Sequence, residues 1–192
     1  MTAVVPVGHY LGPIHDEAAG QVRFRVRVGR EPEPLDTAVE AAVWLAAHSH
    51  PDLPPGTVWT RERVLGLLPD PAGAVDAFAT LLRDGLLAEV DDGFADRYRV
   101  VPLTFGVGWQ YDESGFALGT EGRRVSVGAP VLAVWERGAD FATLRQACAD
   151  ADPRAPAAAL AAMVAELHRL LAVSAVYVDV APVATLDAAT SR

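Results

Sequence analysis

The sequence predicts an α+β fold built as two tandem repeats, each of three helices and a small antiparallel sheet, and three observations predict it. Asp70 to Val90 reads as a capped helix, a stop and a strand, and the same outline returns over Asp152 to Val180. In both, an Asp-Pro pair supplies an N-cap and a first-turn proline, an apolar helix follows, and a Leu-Leu step leads into a β-branched run. The second observation is a series of matches in one order: Leu11 to Glu17 with Val107 to Glu113, Ala42-Val43-Trp44 with Ala133-Val134-Trp135, and Asp70-Pro71 with Asp152-Pro153, at offsets of 96, 91 and 82 residues. The falling offset means shorter connections in the second copy, where loops tolerate deletion. The third is composition, with 192 residues that are 51% hydrophobic and 21% charged, enough apolar material for a buried core.

Taken in order, Gln21 to Gly29 alternates Phe24, Val26 and Val28 with Arg23, Arg25 and Arg27, the period-two pattern of a half-buried strand. Pro32 and Pro34 break it, and Asp36 is the expected cap of a helix to about His48, with Leu35, Val39, Val43 and Leu45 or Ala46 inward. His50 to Thr57 is too proline-rich to be helical. Thr60 opens a short helix, and the Asp70 helix ends at Asp84-Gly85, where glycine suits a left-handed cap. Leu86 to Val90 is a strand, Asp91-Asp92-Gly93 a turn and Arg97 to Leu103 the returning strand of a wing. In the second copy Phe116 to Val127 forms a hairpin around Glu121-Gly122. Pro130 to Arg137 is the Trp-bearing helix, Phe141 to Ala149 the short second helix, Pro153 to Leu171 the long third and Ser174 to Val180 a strand. Residues 1–103 are therefore read as repeat 1 with an N-terminal extended segment, 104–181 as repeat 2 and 182–192 as a loose tail. Trp44 and Trp135, at equivalent places, read as core anchors.

Charge narrows the function classes. The chain has 16 arginines, no lysine and 25 acidic residues, for a net charge of −9. Arginine without lysine, among many Ala, Val, Gly and Pro, is the mark of a GC-rich genome. The acidic balance opposes non-specific binding to nucleic acid or anionic lipid, since both need a basic surface. Cys148 is the sole cysteine, so no disulfide framework or thiolate cluster is expected, and a reducing cytoplasm is the expected compartment. The N-terminus has no basic and apolar signal pattern, and no segment approaches a membrane-spanning length.

Strand, three helices and a two-stranded wing, given twice, resemble a winged-helix fold in tandem. Within that group, the leading hairpin, the helix bearing Trp44 or Trp135, the short second helix and the third helix running into a Leu-rich strand are similar to PqqD-like domains. Those are peptide-recognition elements found with enzymes that modify ribosomally made peptides. The resemblance covers nearly the whole chain as an order of elements and includes no diagnostic motif. It implies that a peptide adds as an extra strand beside the leading sheet and lies against the third helix, in a groove between Val22 to Val28 and Ala74 to Arg83.

A winged helix also suggests DNA, through its third helix. With Val75, Phe78, Ala79 and Leu82 inward, the outward set is Gly73, Asp76, Thr80, Arg83 and Asp84. The third helix of the second copy offers outward mostly alanine with Glu166, His168 and Arg169. Neither set reads bases or grips phosphates. The arginine row Arg23, Arg25 and Arg27, with Arg30 beyond, has two readings: a seat that takes carboxylates bidentately, or a solvated face whose charge prevents edge-to-edge aggregation. His48-Ser49-His50, or His9 with His15, lacks the ligand number and spacing of a metal site. Cys148 reads as a buried thiol, the glycines from Gly106 to Gly122 as turns, and Asp16-Glu17 with Asp112-Glu113 as structural turns. The expectation is a cytoplasmic, non-enzymatic adaptor without cofactor or metal. It binds a peptide or protein partner, an acidic one by the arginine row, through Arg23, Arg25, Arg27, Asp76, Thr80 and Arg83. The alternative is a transcription-associated winged-helix regulator.

Overall fold

Alternating valine and arginine make residues 21–28 a strand, and two neighbours make that strand the middle of a meander. A computed structural model describes residues 2–16, 21–54, 56–104, 106–110, 115–120 and 122–182. Strands β2 (His9–Asp16), β3 (Gln21–Val28) and β4 (Glu31–Leu35) form a three-stranded antiparallel sheet, with β3 paired on both edges. Helices α1 (Ala38–Ala46), α2 (Arg61–Gly66) and α3 (Pro71–Arg83) follow. Strand β5 (Leu87–Glu89) then returns to pair antiparallel with β1 (Val4–Pro6).

After a four-residue helix α4 (Phe94–Arg97), the same order starts again. Strand β6 (Tyr98–Pro102) leads into the meander β7 (Gly106–Gln110), β8 (Gly115–Thr120) and β9 (Arg123–Val127). Helices α5 (Ala129–Arg137), α6 (Leu144–Ala151) and α7 (Pro156–Ala172) follow, and β10 (Val176–Val180) closes antiparallel on β6. The two sets match in detail. Val4-Val5-Pro6 corresponds to Val100-Val101-Pro102, and both first meander strands carry a bulge, one between Tyr10 and Gly12 and the other between Gly106 and Gly108. The third helices end alike. Leu86 N–H donates to the Leu81 carbonyl and Ala175 N–H to the Leu170 carbonyl, both at 2.8 Å, while Gly85 (φ +73°) and Ser174 (φ +56°) take the left-handed position. The α+β class expected from the sequence is therefore the one found.

Several element-level expectations are corrected. Leu86 to Val90 and Arg97 to Leu103 do not pair as a wing. The first goes to β1, and the second opens the next set of elements by pairing with β10. Asp36 does not cap α1: Thr37 does, in a reciprocal capping box with Glu40. Asp152-Pro153 does not open α7. Asp152 ends α6 and accepts from the N–H groups of Arg154 and Ala155, and Pro156 is the first-turn proline. The Asp70-Pro71 start and the Thr60 start stand as expected. On α1 the buried residues are Ala41, Val43 and Trp44, and Val39 and Leu45 face out. On α3 they are Ala74, Ala77, Phe78 and Leu81, leaving Val75 exposed. His168, expected on the outer face of α7, is buried. Glu17, Asp112, Glu113, Glu121 and residues 183–192 of the expected tail lie outside the described residues.

Strand β1 is where the halves meet. Its one edge serves β5. On the other, Val4 N–H donates to the Trp59 carbonyl, Gly8 N–H donates to the Val178 carbonyl at 2.7 Å, and the Val4 carbonyl accepts from His168 Nε2 at 2.8 Å. Ser49 Oγ donates to the His168 carbonyl beside it. The side chains of β1 and the residue after it divide accordingly: Val4 enters one apolar cluster with Val26, Trp44, Phe78 and Leu81, while Val5 and Val7 enter the other with Trp135, Met163 and Leu170. Trp44 and Trp135 are both buried, as expected of core anchors, with Nε1 donating to the Val7 and Ala175 carbonyls respectively.

Candidate functional site

The period-two pattern of β3 puts Phe24, Val26 and Val28 toward the first cluster and Arg23, Arg25 and Arg27 on the opposite face. Along a strand, alternate residues are about 7 Å apart, so the three guanidinium groups form a short cationic row. Arg23 and Arg25, with Val22, Pro34, Leu35 and Asp36, line a hollow of about 300 Å³ at one end of the row. Register places Arg25 beside Pro34 and Arg27 beside Pro32.

That pairing closes one route to a partner. A proline has no N–H to give, so Pro32 and Pro34 occupy the pairs whose backbone groups point away from β3, and the outer edge of β4 offers no donor there. Strand β3 is paired on both edges from Phe24 onward, and the β4 ladder does not extend along its first residues. At Arg25 and Arg27 a ligand is held by side chains, not by ladder bonds to β3. In the second meander the positions of Pro32 and Pro34 are Arg124 and Ser126.

The expected groove between β3 and α3 is also absent. Val43 and Trp44 of α1 pack in that space with Phe78 and Leu81 of α3 and Val26 of β3. Asp76 and Arg83 are exposed on the outer face of α3 and Thr80 is half-buried there, with Arg83 paired to the adjacent Asp84 at 3.0 Å. The apolar cluster therefore stands between the arginine row and Asp76, Thr80 and Arg83, and the six residues do not share a surface.

Comparison of the two meanders gives the arginine row its interest. Phe24 pairs with Leu35 and Phe116 with Val127, and Val26 and Leu118 are both fully buried at the next inward position. On this alignment Arg23, Arg25 and Arg27 correspond to Gly115, Ala117 and Gly119. In the second meander these places are buried, and a side chain at Gly115 or Gly119 would run into Ser126, Val127 or Arg123, so the arginine face has no counterpart there.

A second cationic feature lies at the junction of the two halves. Asp179 on β10 is 1% exposed; its Oδ1 accepts from Gly29 N–H at 2.6 Å and from Val180 N–H at 3.0 Å, and its Oδ2 from Arg99 Nη2 at 2.8 Å. This set was missed in the sequence, where Arg99 and Asp179 are 80 residues apart. The available signal was an acid inside the apolar strand Val176–Val180. No family model, curated protein or solved structure matches this chain.

The remaining candidates resolve into structure. His48 stacks edge-on against Trp44 at 4.5 Å, and its Nδ1 donates to the Trp44 carbonyl. Burial lowers its pKa to about 4, against that bond's opposite pull. His9 packs on Tyr177, with a pKa lowered by burial and by the Arg27 charge. Cys148 is buried and its thiol is pushed up to about 11, mainly by burial. Among the described residues no three His, Cys, Asp or Glu side chains gather as a metal site would require, and no single helix is long and apolar enough to cross a membrane.

Proposed function

We propose that the chain is a non-enzymatic adaptor that binds an acidic peptide or an acidic patch of a protein on the arginine face of its first meander. One observation carries this reading: Arg23, Arg25 and Arg27 occupy three positions that the second meander fills with Gly115, Ala117 and Gly119. In a chain of net charge −9, three guanidinium groups in a row make a local field opposite in sign to the whole. Guanidinium forks take carboxylates bidentately, and the hollow beside Arg23 and Arg25 gives a contacting side chain somewhere to enter. The two sets of elements are read as tandem units of winged-helix character, with the PqqD-like likeness supported by the order of elements. A cytoplasmic setting agrees with the lone buried thiol.

The test is a titration of the full chain with a fluorescent hexaglutamate peptide at low and moderate salt, in parallel with the R23E/R25E/R27E variant. Exposed row charges acting together predict a loss of at least about tenfold in affinity for the variant, and weaker binding of the native chain as salt rises. Equal affinity in a variant with native circular dichroism overturns the reading. A random DNA duplex serves as the competing polyanion, and preference for it over the peptide would also overturn it.

A further inference from the structure

We propose that the cleft between the β3–β4 turn and the β6–β10 strand pair is a binding site for a carboxylate carried on an apolar stem. The cleft has a volume of about 470 Å³ and is lined by Val28, Gly29, Arg30, Arg99, Val180 and Pro182, among others. That size falls in the range of small-molecule sites. Its walls are apolar at Val28, Val180 and Pro182, and its polar groups are two guanidinium groups and the surrounding backbone.

Charge accounting selects the ligand. The acid at this place, Asp179, has both oxygens engaged, by Gly29 N–H, Val180 N–H and Arg99 Nη2. Arg99, with its side chain 24% exposed, has spent one amino group on that pair, while its Nε is buried without an acceptor. That atom is closed to the cleft, and an occupant meets the exposed part of the Arg99 side chain instead. Arg30 is exposed in the turn and makes no hydrogen bond or ion pair among the described residues. Two arginines against one aspartate leave one net positive charge, which a monoanion neutralises. A phosphate dianion would bring a second negative charge up to Asp179. The apolar walls favour a hydrocarbon stem behind the carboxylate, as in a peptide C-terminus or a free aliphatic acid. The cleft takes Gly29 and Arg30 from the first half and Arg99 and Val180 from the second, so an occupant would bridge them.

This site is independent of the arginine face. The experiment titrates the full chain with hexanoate, with hexanol and hexanamide as uncharged matches, and with a short aliphatic peptide bearing either a free or an amidated C-terminus, read by amide chemical shifts. Hexanoate should move the Gly29 and Ala181 resonances while the uncharged matches do not, and Arg30→Met should weaken binding about tenfold. Arg30 is exposed and makes no hydrogen bond or ion pair among the described residues, and an unchanged melting temperature confirms that the variant is intact. R23E/R25E/R27E should leave hexanoate binding as it was, separating this site from the row. Binding of the free-acid peptide but not its amide identifies a peptide terminus as the ligand; binding of hexanoate alone identifies a free acid. Hexanoate no better than hexanol, or an Arg30→Met chain that binds like the native one, overturns the proposal.

Discussion

Asp179→Ala is the most informative single change. The native carboxylate is 1% exposed and receives three hydrogen bonds, two from backbone N–H groups and one from a guanidinium 24% exposed. Truncation leaves the Gly29 N–H without its acceptor and Arg99 without its counter-charge. Breaking a buried pair by removing one partner costs about 3–5 kcal/mol, and the lost backbone bond to a charged acceptor falls within the same total. The assay is equilibrium urea unfolding followed by tryptophan fluorescence and by far-ultraviolet circular dichroism. The repeat supplies the control, because in the first half the positions of Arg99 and Asp179 are Ala3 and Val90, joined by a plain strand bond from Val90 N–H to the Ala3 carbonyl. Replacing both, Arg99→Ala with Asp179→Val, should recover most of the loss, since no unpaired charge remains. A single Asp179→Ala costing under about 1 kcal/mol, or a double variant as weak as the single one, would refute the reasoning.

Three more outcomes follow from the same geometry. Burial lowers the His48 pKa to about 4 from an ordinary 6.5, so the unfolded chain binds the proton first as pH falls. The stabilisation is fully present above about pH 6.5 and is lost between there and pH 4. At 1.36 kcal/mol per unit the drop is about 3 kcal/mol, and His48→Phe should flatten that part of the stability profile. Ser174 holds φ +56° where its counterpart is Gly85 at +73°. Ser174→Gly should therefore stabilise by about 0.5–1 kcal/mol, and Gly85→Ser, with open space around the new side chain, should destabilise by about as much through backbone strain alone; thermal melts check both. Cys148, buried with its thiol pushed up to about 11, should resist a thiol reagent at pH 8 until the chain unfolds. Labelling of the native protein as fast as in denaturant would contradict its burial.

What the sequence made legible was local. Alternation showed β3, Asp70-Pro71 showed the start of α3, and Asp84-Gly85 showed its end, because each depends on neighbours within a few residues. Pairing over distance was not legible. Val4–Pro6 is three residues long and could not announce Leu87–Glu89 as its partner, so the nearer hairpin, Leu86 to Val90 with Arg97 to Leu103, was the natural expectation. The inner face of α3 was misread for a packing reason: Val75 outweighs Ala74 and Ala77 in hydrophobicity, yet small residues are what let the helix approach α1 closely. His168 looked like surface because it was placed with the alanines on the outer side of α7, and only the distant Val4 carbonyl gives its ring a reason to be inside. The arginine row was visible from the start. That β3 is paired on both sides, with prolines facing Arg25 and Arg27, depended on register.

The place of β1 bears on how the chain is made. On the ribosome, residues 4–7 emerge some eighty residues before β5, which satisfies one edge. The other edge must wait until Val178 and His168 have been synthesised, so the first half ripens with a row of valines and a carbonyl still exposed to passing chaperones.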